Sequence, residues 1–267
     1  MLFVRRFLLL ALLGPFLATA AHAITLDWDS VTWTAGSLSN SYNIDPAKAG
    51  NDITVTISGD TTLLQPKNTS PNPQTPALTN TFQGGLGTAQ NTLCLALNLQ
   101  NTSQGVTVSV NFSALYTSGV ANVSFTLFDI DFSNSPGNTF QDQLSSIQAI
   151  DMNGNAVAAT ITTSANNTLS GTTGLSQVVT GIASGNDIDP GSGSSNVTIS
   201  FGATAIKSFT FTYGSGTGTV PDPTYQHMGI HDISFTPIPE LNPAWSALGS
   251  CLVAAALILR HSAKFRK

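Results

Sequence analysis

Between residues 106 and 112 the chain reads Val-Thr-Val-Ser-Val-Asn-Phe, every apolar side chain two positions from the next. Successive side chains of a β-strand point to opposite faces. This spelling therefore turns Val106, Val108, Val110 and Phe112 to a core and Thr107, Ser109 and Asn111 to water. Val123–Phe128, Val197–Phe201 and Phe209–Tyr213 repeat the alternation, and Ile53–Ile57, Leu93–Leu99, Leu144–Ile150, Ala156–Ile161 and Met228–Phe235 are further candidates. Gly, Asn, Ser and Pro fill the gaps, as at Asn101–Gly105, Ser118-Gly119 and Asn153-Gly154, where turns need them. Leu64–Ala77, with four prolines, reads as a loop. The body shows no apolar stripe of helical period. About ten short strands without a helix predict an all-β fold, a single antiparallel β-sandwich that is jelly-roll-like.

Charge narrows the chemistry. Only 9% of the 267 residues are charged, against about a quarter in ordinary globular proteins. Residues 24–239 hold thirteen aspartates, no glutamate and three lysines (Lys48, Lys67 and Lys207), a net charge of −10. Such a body repels a phosphate backbone, which removes nucleic acid as a partner. Thr and Ser on the outer strand positions suit a sheet solvated by hydroxyls, and they leave few charges to guard strand edges. Cys94 is the only cysteine of the body and lies in Leu93-Cys94-Leu95-Ala96-Leu97, where a thiol is core and inert. No Gly-x-Ser-x-Gly turn stands between a strand and a helix, and no pair of acids is singled out. The sequence predicts a protein that is not an enzyme.

The two ends carry different information. Arg5 and Arg6 precede an apolar run, Phe7–Leu17, and Ala21-His22-Ala23 places small residues at Ala21 and Ala23. That order predicts a signal peptide over residues 1–23, cleaved to start the mature chain at Ile24. Its apolar run falls well short of the ~20 residues a membrane span needs. At the other end Pro239-Glu240-Leu241 leads into an uncharged segment, with a transmembrane helix predicted over residues 243–259. Arg260, Lys264, Arg266 and Lys267 close the chain. A basic cluster after a span stops it in the membrane and keeps that end cytoplasmic. The chain divides into a signal peptide (1–23), a β-sandwich ectodomain (24–237) and a tail (238–267).

A Pro-Glu element, a short apolar helix and a basic end, in that order, resemble the PEP-CTERM sorting signal. Bacteria that make extracellular polymers use this signal with exosortase, a membrane-embedded protease. The family's Pro-Glu-Pro falls on Pro239, Glu240 and Leu241, so this chain departs at the third position. Within the body, Val123–Asp131 (VSFTLFDID), Gln141-Asp142, Ala149–Gly154 (AIDMNG) and Gly229–Phe235 (GIHDISF) resemble a pattern found in many PEP-CTERM exported proteins. The last segment is also similar to the closing strand of carbohydrate-binding jelly-roll modules. The resemblance implies an exosortase-like membrane protease as partner and transient anchoring in the inner membrane. The protein then reaches the cell surface or extracellular matrix. The alternative it carries is a lectin-like module on extracellular polysaccharide, with or without Ca²⁺.

Several side chains are candidate ligands. Asp129 and Asp131 fall on one face of a strand end and, with Asp142, offer oxygens of the kind Ca²⁺ takes. Asp187 and Asp189 repeat the spacing. Asp27, Asp29 and Asp232 make another set if the first and last strands pair. Against both stands the ordinary use of aspartate, which caps turns and accepts backbone N–H groups without any metal. No cofactor is required by either reading. Asp151-Met152-Asn153-Gly154 lacks the glutamate that closes a calcium loop and reads as a hairpin turn. His227 and His231, four residues apart along a strand, are separated by about 13 Å, too far for one zinc ion. Trp28, Trp33, Tyr42, Tyr116, Tyr213 and Tyr225 either anchor the core or stack on sugar rings, with the core favoured.

Overall fold

The computed structural model describes residues 22–67, 70–135, 138–171, 174–182, 190–223 and 225–240. Most of the expected signal peptide, including Arg5, Arg6 and Ala21, lies outside them, as do Asp187, Asp189 and the tail from Leu241 through the basic end. Among the described residues no helix is long and apolar enough to cross a membrane. The folded body spans His22–Ile238.

Its strands, in chain order, are β1 (Ile24–Leu26), β2 (Ser39–Tyr42), β3 (Ile53–Gly59), β4 (Ala77–Thr79), β5 (Thr92–Leu97) and β6 (Gly105–Phe112). They continue as β7 (Val120–Phe128), β8 (Phe132–Ser135), β9 (Asn138–Asp151), β10 (Ala156–Ala158), β11 (Thr160–Thr163) and β12 (Asn167–Ser170). The last five are β13 (Val178–Gly181), β14 (Val197–Ser200), β15 (Ile206–Ser215), β16 (Gln226–Ile230) and β17 (Ile233–Pro237). The only helical elements among the described residues are three single 3₁₀ turns.

All the pairings are antiparallel, and they form one strongly curled sheet whose halves face each other. One half runs β2, β3, β6, β15, β9, with β13 and β12 continuing beyond β9. In the other, β7 pairs with β14 on one side, and β14 with β11. On its other side β7 divides its length between β17 and β16, which lead outward to β1 and to β5 and β4. The Ile206–Val120 pair joins the halves.

The alternation set this up. Phe209 and Phe211 of one half meet Phe125 of the other, their rings stacked on it at 4.7 and 5.7 Å. Burying each such ring contributes about 1.5–3 kcal/mol. Outward-facing positions are held by hydroxyls. Thr107 faces Thr212, Thr126 faces Thr198, Ser41 faces Thr54, Ser39 faces Thr56 and Thr25 faces Ser234, each as direct cross-strand neighbours with oxygens 2.8–3.0 Å apart. Cross-strand pairs of this kind stabilise a sheet by tenths of a kcal/mol, on the order of 0.2–1 each.

Two expected strands differ. The stretch 156–161 is two strands, because the chain leaves β9 after Ala158 and joins β14 from Thr160. Residues 228–235 also divide: β16 pairs with β5 up to Ile230, and β17 pairs with β1 from Ile233. The strand of VSFTLFDID ends at Phe128, where its alternation ends, but Asp129 then takes a positive φ of 66°, so Asp129 and Asp131 do not continue it on one face.

Candidate functional site

The interior of the curled sheet holds a network around Asp142. In β9, Asp142 shares the parity of Leu144 and so points inward; both are at most 1% exposed. Gln226 Nε2 donates to Asp142 Oδ1 at 3.0 Å, and the Asp131 amide donates to Oδ2 at 3.2 Å. Ser215 Oγ in turn donates to Gln226 Oε1 at 2.7 Å. Tyr213 Oη stands 2.8 Å from Asp142 Oδ1 and 2.9 Å from the His227 carbonyl oxygen. A phenol has one proton for those two acceptors. A neutral Asp142 satisfies both contacts: its carboxyl donates to Oη, and Oη donates to the carbonyl. Burial, then the nearby Asp131 carboxylate, push the Asp142 carboxyl well above the usual range, consistent with that proton. Burial and Asp142 likewise raise the Tyr213 phenol.

A second acid centre lies in the loop between β2 and β3. Asp52 Oδ2 accepts from the amides of Ile44 at 3.0 Å and Asp45 at 2.6 Å. Asp45 Oδ1 accepts from the Ala47 amide at 2.9 Å, and Tyr116 Oη donates to Asp45 Oδ2 at 3.2 Å. Burial raises both the Asp52 carboxyl and the Tyr116 phenol. Lys48 Nζ lies over the Tyr116 ring.

On the outer face of β16 a row of rings runs Tyr225, His227, Phe82, with Phe128 and His231 beyond it. Tyr225 stacks on His227 at 5.9 Å, His227 meets Phe82 at 6.1 Å, and Phe128 meets His231 at 5.1 Å. Phe82, Phe128 and Cys94 form a small core separate from the main one. Glycine is required where the covering loop and β16 cross this row. A side chain at Gly84 would collide with the Phe128 ring, and a Cβ at Gly229 would stand 2.7 Å from that of Phe82. Buried Lys67 approaches the same face, its ammonium donating to the hydroxyls of Thr79 at 2.6 Å and Thr81 at 2.5 Å. Burial, then the Lys67 charge, lower His227 to about 4, so its ring is neutral at ordinary pH. Burial holds the Cys94 thiol well above its usual range, as expected of an inert core cysteine.

The first and last strands do pair, and this brings Asp232 to the chain start, where its Oδ1 accepts from the Trp28 amide at 3.1 Å. Asp27 Oδ1 accepts from the Asp29 amide at 2.8 Å, and Asp29 Oδ1 from the Asn91 amide at 3.0 Å. In this set each aspartate serves backbone donors. Asp131 and Asp142 come together, while Asp129, turned by its positive φ, is only half-buried. Among the described residues no three His, Cys, Asp or Glu side chains gather into a set that could hold a metal ion. Asp151 closes the β9–β10 hairpin, its carboxylate accepting from Asn153 and Asn155. Trp28, Trp33, Tyr42, Tyr116 and Tyr213 belong to the core, whereas Tyr225 is half-buried at the surface.

Sequence reasoning missed Tyr213, Gln226 and Ser215 as partners of Asp142, and Asp45 and Asp52 as a pair. One signal was available. Tyr213 has the parity of Phe209 and Phe211, so a phenol was bound to enter the core and need a polar partner. Nothing in the spelling of residues 226 and 142 joins them; their separation of 84 positions is closed only by the fold.

Scans against protein-family models and curated proteins return no match. Among solved structures the chain is similar to the enzymatically active domain of bacteriophage CBA120 tailspike protein 4, with a TM-score of 0.32 and 12% identity over 69% of this chain and 19% of that one. It is similar to the mannan-recognising carbohydrate-binding module TmCBM27, with a TM-score of 0.32 and 12% identity over 82% of this chain and 99% of that one. The N-terminal domain of the Streptococcus gordonii adhesin Sgo0707 gives a TM-score of 0.30 and 9% identity over 68% of this chain and 42% of that one. These likenesses are distant.

Proposed function

We propose that this chain is a non-catalytic exported protein with a jelly-roll-like β-sandwich body. Residues 243–259 anchor it transiently in the inner membrane, and an exosortase-like protease acting near Pro239 and Glu240 passes it to the cell surface or extracellular matrix. The observation that carries the reading is how polar groups are divided. Asp142 and Tyr213 are sealed inside on the fold's own donors and acceptors, while neutral hydroxyl pairs clothe the outer strands. A body of this kind meets a hydrated polymer through hydroxyls rather than charge. The test is the intact mass and cell fraction of the mature protein, beside a variant lacking residues 239–267. Loss of the chain after about Pro239 with release from the inner membrane supports the proposal. A mass running from Ile24 to Lys267 in that membrane, or unchanged fractionation of the deletion, overturns it.

A second reading is polysaccharide binding, favoured by one observation. Tyr225 is half-buried at the surface with its ring backed by His227 at 5.9 Å, the kind of braced ring on which a sugar stacks. A glycan array probed with and without Ca²⁺ tests it. Binding lost in Tyr225→Ala supports the reading, and no binding by the parent removes it.

A further inference from the structure

We infer that the β12 edge is a docking site for a second copy of this chain, the two β12 strands pairing antiparallel about a twofold axis. The argument begins with one row of side chains across the sheet. Leu169 is the direct neighbour of Val179, Val179 of Leu144, Leu144 of Tyr213 and Tyr213 of Val106. Direct neighbours share a face, and this is the core face. The inner four are fully buried, but Leu169 is 36% exposed. The apolar row therefore runs out into water at β12, which among the described residues pairs with β13 alone.

Charge selects the occupant. Edge strands are ordinarily protected by lysines, other charges or proline. Residues 152–186 contain no Asp, Glu, Lys, Arg or His, and no proline. The rest of the body is strongly acidic, so two copies repel through most of their surfaces. At β12 neither copy carries charge, and the backbone groups of one edge complement those of the other. Parity and packing together set the register. Pairs of like parity keep the core faces of both copies on one side, and among these registers the one that sets Leu169 against Leu169 of the second copy, and Thr168 against its Ser170, lets the two leucines cover each other. The row then continues from one body into the next. This interface is independent of where the protein is delivered.

Direct antiparallel neighbours have Cα atoms about 4.5–5.5 Å apart, within the range a disulfide spans. The experiment uses the full chain in a nonionic detergent, with Cys251→Ser removing the tail thiol. Leu169→Cys is oxidised beside Leu175→Cys, a control at a more exposed leucine off this edge (47%). Covalent dimer at residue 169, at least tenfold over residue 175, is expected. In parallel, Leu169→Lys raises the dimer dissociation constant at least tenfold in sedimentation while the melting temperature of the monomer is kept. Equal or absent crosslinking at the two positions overturns the inference, as does a dimer unaffected by Leu169→Lys.

Discussion

Two buried centres of this protein have the same inventory, two aspartates and a tyrosine, and different construction. At Asp45, Asp52 and Tyr116 the carboxylates are met mainly by amides of their own loop, Ile44, Asp45 and Ala47. At Asp131, Asp142 and Tyr213 the partners arrive from β15, β16 and the connection between β7 and β8. A carboxylate among local amides caps a turn, and at Asp52 those amides offset only part of the burial that raises it. A carboxylic acid sealed from water beside another carboxylate is stabilised as the neutral acid, and its contacts with a phenol and a carboxamide tie strands together. The same residues thus fasten a loop in one place and a core in the other.

The largest break in this comparison comes from Asp142→Ala. It removes the Asp142 partner of Gln226 Nε2 and of the Asp131 amide, leaves Tyr213 Oη with the His227 carbonyl alone, and costs about 3 kcal/mol at the usual penalty for buried groups that lose partners. In a body of this size the melting temperature falls by roughly 6–12 °C. Asp142→Asn keeps the shape and a donor toward Tyr213, and the loss is about 1 kcal/mol. If the two variants melt together, Asp142 is not the neutral hub described here. Next comes Tyr213→Phe against Tyr116→Phe. The first strips two contacts and costs about 2 kcal/mol, the second one contact and about 1 kcal/mol, both read from urea midpoints. Equal midpoints would erase the distinction between the centres.

The smallest effect is the slope of stability with pH. Asp142 and Asp52 are raised in the fold, so the native state holds protons that the unfolded chain has released. Their contribution is present at low pH and is lost as pH rises above the ordinary carboxylate range. His227 has the opposite sign. Lowered to about 4, it costs stability as pH falls from its ordinary 6.5 toward that value, because the unfolded chain takes the proton first. Melting curves between pH 4 and pH 9 should therefore flatten on the alkaline side in Asp142→Asn and on the acid side in His227→Gln. An alkaline slope unchanged by Asp142→Asn assigns it to other groups.

Most of the strands were legible, for a physical reason. Alternation at Val106–Phe112 or Phe209–Tyr213 records which side chains are buried, and burial of one face is what makes a strand. The short edge strands β2, β11 and β12 were less legible, because Ser39–Tyr42 and Asn167–Ser170 bury little and carry almost no pattern. Of the candidate sites, the hairpin at Asp151 and the inert Cys94 could be read locally. The Asp142 network could not, since a side-chain hydrogen bond across 71 or 84 positions leaves no periodic mark.

The sequence by itself determined the all-β character and the inward row of phenylalanines, because these follow from covalent alternation and the exclusion of apolar surface from water. It also determined that the body carries acid without matching base. Tertiary structure alone decided which aspartates meet. It made Asp142 the hub rather than Asp129, bent the chain at Asp129, and left Leu169 at the open end of a buried row. Those outcomes depend on register between strands distant in sequence, and register is fixed only when the whole sheet closes on its core.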